Sequence, residues 1–294
     1  MKNKVVNTSL GNRDKKQEIE KRQIINKEKN NKHVVNIGFI NINGTNITYW
    51  PDIEEEFKEN KIDIIGIVET HLKNRSTWNG KYYKMIAKGR EKKKKKGGGI
   101  ALVIEKERNW EVEEIELDDN EDTEDILACL IENKYQKIQQ FLLICCYMTT
   151  GKTDIVVQEN KRKYKEIKKI VKEHRNKEIL IMGDMNAHIG ILGEKIDKNG
   201  EALISFAEEN DLEIGNLTKT VGKITWRRPG GKEKSAIDYI LFNKKCSEKI
   251  KEIIIDEGKE VDINSDHNLI TVKYGNGIQE NNKKEKRTKI KWKM

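Results

Sequence analysis

Proline is nearly missing, with two in 294 residues, and that excludes Pro-rich or collagen-like material. Cysteine is scarce as well. Cys129, Cys145, Cys146 and Cys246 form no CxxC pair, which removes the zinc-ribbon and thioredoxin signatures. Cys145 and Cys146 are adjacent within an apolar stretch, where strand neighbours point to opposite faces. All four read as buried, reduced thiols of an intracellular protein. Long hydrophobic runs are lacking. The longest, Phe141 to Met148, has eight residues, against the ~20 that a membrane-spanning helix needs, so no membrane partner is expected. The opening MKNKVVNTSLGNRDKK holds no apolar leader core, which argues against secretion by that route. There is no P-loop, no GxSxG elbow, no HExxH helix and no internal repeat.

Charge is abundant but unevenly placed. Residues 1–32 carry 10 Lys/Arg and 4 Asp/Glu, and residues 275–294 carry 7 and 2. The stretch between them holds 41 basic and 43 acidic residues, a net of −2 within a chain of +9 overall. The basicity therefore belongs to the flanks. Such segments read as a flexible arm (1–32) and a tail (275–294) able to hold nucleic acid without specificity. The single domain expected over 33–274 must be understood from its site, not from its pI.

Within that domain the pattern is α/β. VVNIGFI (34–40), IDIIGIVE (62–69), IALVIE (100–105), DILACLIE (125–132), QFLLICCYM (140–148) and EILIMGDMN (178–186) read as strands. Most are near-continuous apolar runs, as expected of strands covered on both faces. Asn133 to Gln136 reads as a hairpin connection. KITWRR (223–228), SAIDYILF (235–242), EIIID (252–256) and HNLITVKY (267–274) read as later strands. Helices are expected over 51–60, with Pro51 in the first turn, over 154–175, where Tyr164, Ile167, Ile170 and Val171 share a face, and over 202–211. Ten or more strands exceed one comfortable open sheet, so two packed sheets with helices outside are expected.

Several of these strands end in acid, amide or imidazole groups: Asn41 and Asn43, Glu69 with His71, Asp184 with Asn186, Asp238, and Asp266 with His267. Strand ends are where a rigid scaffold presents side chains to a crevice. If the backbone stays extended, Asp184 and Asn186 project to the same face. The set is rich in hard oxygen donors, favouring magnesium or manganese over zinc. Each residue also has an ordinary structural alternative. Asn41 and Asn43 shape a turn before Gly44. Glu69 and Asp184 pair with lysines. Asp238 is a satisfied buried acid, and Ser265-Asp266-His267 caps the final strand. His33 and His174 read as structural, and His188 as a loop residue supporting Asp184. Lys92 to Lys96 is either a basic hairpin tip or a solvated loop.

Taken in order, NxN…ETH…Y…GDxN…SxIDY…SDH resembles the endonuclease/exonuclease/phosphatase superfamily, the fold of DNase I and the apurinic endonucleases. NING, IVETHL, GDMNAHIG, TWRR, SAIDYIL and NSDHNLI are most similar to the endonuclease domains of non-LTR retrotransposons and their craniofacial-development-protein-like relatives. The resemblance spans about residues 34 to 274. It implies a four-layer sandwich of two mainly antiparallel sheets flanked by helices. It also implies a magnesium-dependent (or manganese-dependent) phosphodiester hydrolase, a monomer acting on DNA in the nucleus, that nicks one strand to leave a 3′-hydroxyl. Carried over, Asn41 and Glu69 hold the metal, Glu69 by direct ligation, and Asp266 lies beside it. Asp184 orients or deprotonates the water and Asn186 helps place it. His267, oriented by Asp238, contacts the scissile phosphate, and Tyr147 lies near the leaving oxygen. Asn43, His71, Thr149, Trp226 and Ser235 are the substrate-binding candidates. Two departures stand out. Asn43 occupies a place where repair enzymes often carry Asp, and Met148-Thr149-Thr150 replaces the usual Pro-Asn pair after the tyrosine, with Thr149 as the substitute. An abasic-site endonuclease, a lipid or inositol phosphodiesterase and an inactive interaction module are the alternatives on the same fold.

Overall fold

The computed structural model describes residues 34–44, 50–90, 97–118 and 120–275. The arm over 1–32, the tail beyond Gly275 and the lysine run 92–96 lie outside these residues. The chain begins with strand β1 (Val34–Asn41), helix α1 (Trp50–Glu59), β2 (Ile64–Val68), β3 (Ser76–Asn79), β4 (Tyr83–Lys88) and β5 (Ile100–Glu105). It continues with β6 (Glu111–Glu114), β7 (Ile126–Asn133), β8 (Ile138–Tyr147), α2 (Asp154–Glu173), β9 (Ile179–Asp184), α3 (Lys198–Glu209) and β10 (Leu212–Ile214). After a short α4 (Gly215–Thr218) come β11 (Thr220–Val221), β12 (Trp226–Arg227), β13 (Lys234–Ser235), β14 (Asp238–Asn243), α5 (Lys244–Ser247), β15 (Ile250–Ile255) and β16 (Ile270–Gly275).

These strands form an eight-stranded sheet in the order β11-β15-β16-β1-β2-β5-β4-β3, a six-stranded sheet in the order β10-β14-β9-β8-β7-β6, and the two-stranded ribbon β12-β13. The pairs β1-β2, β8-β9 and β11-β15 are parallel and the rest antiparallel. Alternation along each strand explains the layering. On β1, Val35, Ile37 and Phe39 enter the core between the sheets, while Ile40 faces α1. On β8, Phe141, Leu143 and Cys145 face the other sheet, whereas Leu142, Ile144 and Cys146 face α2 and α3. The two adjacent cysteines thus lie on opposite faces. A sheet apolar on both sides must be covered on both sides, and the result is four layers. α1 packs Trp50, Ile53 and Phe57 on the large sheet. α2 packs Tyr164, Ile167 and Ile170 on the small one.

Three expectations are corrected. The stretch 223–228 is strand only at Trp226–Arg227, and 235–242 is broken before Asp238. Thr225 is the cause: its hydroxyl accepts from the backbone N–H groups of Ile237 and Asp238, both at 3.0 Å, and turns the chain between ribbon and sheet. Helix α3 starts at Lys198, four residues before the expected start at 202, because Asp197 caps it by accepting from Gly200 N (2.7 Å).

Candidate active site

The site lies where strands of both sheets end. On the small sheet, β8 and β9 run parallel with Tyr147 opposite Asp184, and antiparallel β14 places Asp238 opposite Asp184 on the other side. Directly opposed residues share a face, so Tyr147, Asp184 and Asp238 form a row directed between the sheets. On the large sheet, Asn41 stands two residues beyond the core residue Phe39 and so faces that row. Its side-chain Nδ2 donates to Asp184 Oδ2 at 3.0 Å, a buried hydrogen bond from one sheet to the other. Its Oδ1 accepts from Asn43 N (2.8 Å), holding the turn at Asn43, where φ is +45°.

Asn186 departs from the extended geometry expected of it. Its φ is +45°. Its backbone N–H donates to Asp184 Oδ1 (3.0 Å) and its side-chain Nδ2 to Met148 O (2.8 Å). It therefore braces Asp184 from behind while still lining the cleft.

Glu69 leaves β2 with φ at +53°. The turn it starts is gripped by Gly98 and Gly99, whose carbonyls accept from His71 N (2.9 Å) and Thr70 N (3.2 Å). Both glycines have positive φ, and a Cβ at Gly99 would sit 2.5 Å from Thr70 Oγ1, so side chains are excluded there. His71 Nε2 lies 3.5 Å from Glu69 Oε2, half-exposed beside the carboxylate.

His267 is brought in by the segment before β16. It forms an isolated bridge with Trp226, and its Nδ1 lies 2.9 and 3.1 Å from the two Asp238 oxygens. The Ser265 hydroxyl accepts from His267 N (3.0 Å) and donates to Asn41 O (2.5 Å), fixing the imidazole loop to β1. Asp266 Oδ2 accepts from Trp226 Nε1 (2.8 Å), while its buried Oδ1 has no hydrogen-bond partner.

Most of these groups open onto one cleft of about 360 Å³; Tyr147, Asp238 and His71 do not line it. Asn41, Asn43, Glu69 and Asp266 line it from one side and Asp184 and Asn186 from the other, with Trp226, Ser235 and His267 also in the wall. The carboxyls of Glu69 and Asp184, 115 positions apart in sequence, thus meet in space. Thr149 does not join them. Its hydroxyl donates to Glu159 (2.7 Å) and accepts from Lys163 (3.3 Å), so it belongs to the support under the site. Thr150 and Lys152 line the cleft in its place, as do His188 and Asp197. Asp197 was readable in the sequence only as a residue preceding a helix.

The electrostatics follow from burial. Burial pushes the Asp184 carboxyl up to about 8, with the Asp238 charge adding to the rise and His267, Asn41 and Asn186 opposing it. For His267, burial disfavours the cation, but the adjoining Asp238 carboxylate outweighs it and holds the imidazole up at about 9. The Tyr147 phenol is raised far above its ordinary range by burial and by the charges of Asp184 and Glu69, so it is a hydrogen-bond donor at any physiological pH.

Residues 141–271 match the model of the endonuclease–reverse transcriptase family. Solved structures carry the same fold. The endonuclease domain of TRAS1, a telomere-specific non-LTR retrotransposon, superposes with a TM-score of 0.58 at 17% identity, over 82% of this chain and 98% of that one. An AP endonuclease from Archaeoglobus fulgidus gives 0.63 at 19%, over 82% and 99%. The 3′-5′ exonuclease NExo from Neisseria meningitidis gives 0.63 at 16%, over 82% and 100%. No curated protein matches the sequence significantly. The family match covers less than half of the chain, and the likeness to these structures shows the fold: a DNase I-like α/β sandwich.

The donor set suits a hard divalent cation. It is built of oxygens, and the partnerless buried Asp266 Oδ1 is an unsatisfied acceptor of the kind a cation would satisfy. Among the described residues Asp184, Asp238 and His267 also lie within 4.8 Å of one another. That trio is already committed to hydrogen bonds, since His267 Nδ1 faces Asp238 and Asp184 accepts from Asn41 and Asn186. Its geometry pairs protons better than it cages an ion.

Proposed function

We propose that this protein is a member of the endonuclease/exonuclease/phosphatase superfamily and, within it, a divalent-metal-dependent DNA endonuclease, acting in the nucleus as a monomer and nicking one strand to leave a 3′-hydroxyl. The observation that carries the proposal is the meeting, at a single cleft, of Asn41 and Glu69 from the large sheet with Asp184 from the small one and with His267, which precedes β16 and is held by Asp238 of the small sheet. Glu69, with Asn41 and Asp266 beside it, would hold the cation, magnesium or manganese. When bound, it neutralises charge on the phosphate and its leaving oxygen.

The chain's own groups supply the rest. Asp184 would take a proton from the attacking water in its ionised form, whose share grows as pH rises toward its raised value of about 8, and Asn186 fixes its carboxylate. His267 is cationic at neutral pH and so stabilises the phosphate's developing charge better than it would act as a base. Asp238 sets the ring's orientation. Tyr147 donates toward the departing oxygen. Support for a nucleic-acid substrate comes from the ribbon β12-β13 on the cleft rim. It carries Arg227, Arg228, Lys232 and Lys234, and Trp226 and Ser235 reach from it into the cleft.

Plasmid nicking with magnesium, followed by end-group analysis, tests the reading. Asp184→Ala and His267→Ala should each lower kcat by a factor of about 10² to 10³. Wild-type protein inert on both intact and abasic DNA would sink the proposal. Activity confined to abasic sites, or to a sphingomyelin or inositol phosphate panel, would move the protein to another branch of the superfamily.

A further inference from the structure

A second imidazole–carboxylate pair faces the same cleft and has no part in the chemistry above. His188 Nδ1 lies 2.8 Å from Asp197 Oδ2, and the two backbones are tied by His188 N to Asp197 Oδ1 (3.3 Å) and Asp197 N to His188 O (3.1 Å). Asp197 is itself fixed as the cap of α3. The ring is 29% exposed and lines the cleft together with Asp197. With Nδ1 committed, Nε2 is the ring atom left for a ligand. Lys152 lines the same wall. Its loop and the His188 loop are clamped together by Asn199, whose Nδ2 donates to both Gly151 O (2.9 Å) and Asn186 O (3.2 Å).

A ring held rigidly by a carboxylate, four residues along the chain from Asp184 and beside a lysine, is suited to a second anion close to the reacting one. We propose that His188, oriented by Asp197 and aided by Lys152, binds a non-bridging oxygen of the backbone phosphate next to the scissile linkage. The ring would then lie between the carboxylate and the phosphate, Nδ1 toward the one and Nε2 toward the other. This deepens the nuclease reading and rests on it. The preferred substrate is a polynucleotide with a charged linkage adjoining the cut, rather than an isolated phosphodiester.

The test is a cycle between protein and substrate. Oligonucleotide duplexes carry a neutral methylphosphonate at one linkage at a time on either side of the cut, and are cleaved by wild type, His188→Gln and Asp197→Asn. Asparagine still caps α3, so the second variant removes the charge without removing the helix start, and unchanged thermal melting checks both folds. On all-phosphate DNA each variant should raise KM about tenfold, the scale of one charge-assisted hydrogen bond, with kcat within about twofold. At one linkage the methylphosphonate should impose the same loss on wild type and no further loss on either variant. A purely structural role would give losses that add at every linkage, and that result, or an unchanged KM, overturns the subsite while leaving the nuclease reading standing. Wild type inert on DNA overturns both.

Discussion

Asp184 is 2% exposed, and in the metal-free protein a proton is the cheapest way to neutralise it. The sign of its effect on stability follows from linkage. Its carboxyl is raised from the ordinary 3.8 to about 8, so the folded state binds more protons than the unfolded chain between those values, and stability falls as pH rises across that window. His267 is raised from 6.5 to about 9, so its contribution is fully present below 6.5 and is lost as pH rises through 9. Both act in the same direction from 6.5 to 8. The melting temperature of EDTA-treated protein should therefore drop across that range. Asp184→Asn should remove the Asp184 share and flatten the drop, which differential scanning calorimetry would read. At this scale the sequence reveals the identity of the site groups but not their posture. GDMN announces an acid and an amide. Only the left-handed backbone at Asn186 shows that the amide turns back to Met148 and that its N–H secures the acid.

Elements read unequally well. β1, β2, β5, β8 and β9 are near-continuous apolar runs and are legible for that reason. β3, β4 and β6 lie toward sheet edges, with polar residues on an exposed face, and were not found. β4 alternates buried Tyr83, Met85 and Ala87 with Lys84, Ile86 and Lys88, a period obscured by Ile86 in a lysine-rich chain. The close approach of the two sheets was equally hidden. Gly66 on β2 faces Cys145 on β8, and a Cβ there would come within 2.4 Å of the sulfur. Gly66→Ala should therefore destabilise by about 1–3 kcal/mol through overpacking, measurable by urea unfolding. Helix α2 is joined to the small sheet by a buried ion. Lys163 Nζ donates to Asp125 Oδ2 (2.8 Å) and Tyr147 O (3.0 Å), and Arg90 pairs with the same Asp125. Lys163→Met breaks that set on one side and should cost about 3–5 kcal/mol, again by urea unfolding. On the ribbon, Arg228→Glu with Lys232→Glu should weaken DNA binding and flatten its salt dependence, while hydrolysis of a small chromogenic phosphodiester stays unchanged.

For the molecule as a whole, the proposed cation would sit between sheets that hydrophobic contact holds together. A ligand that binds only the assembled state stabilises it by mass action, about 2.7 kcal/mol at a hundredfold excess over Kd. Magnesium should therefore raise the melting temperature of wild type and leave that of Glu69→Gln nearly unmoved. Through β5 the chain builds only the large sheet; from β6 to β10 it builds only the small one. Asn41 and Glu69 are thus contributed before that crossover, and Asp184, Asp238 and His267 after it. The chain later returns to the large sheet for β11, β15 and β16 and to the small one for β14, so a break at residues 106–110 both separates these groups and leaves the large sheet incomplete in the first piece. Fused to a pair of interacting proteins, the two pieces would regain cutting only where β1 can pair again with β16, a conditional nuclease whose trigger is the closing of its large sheet.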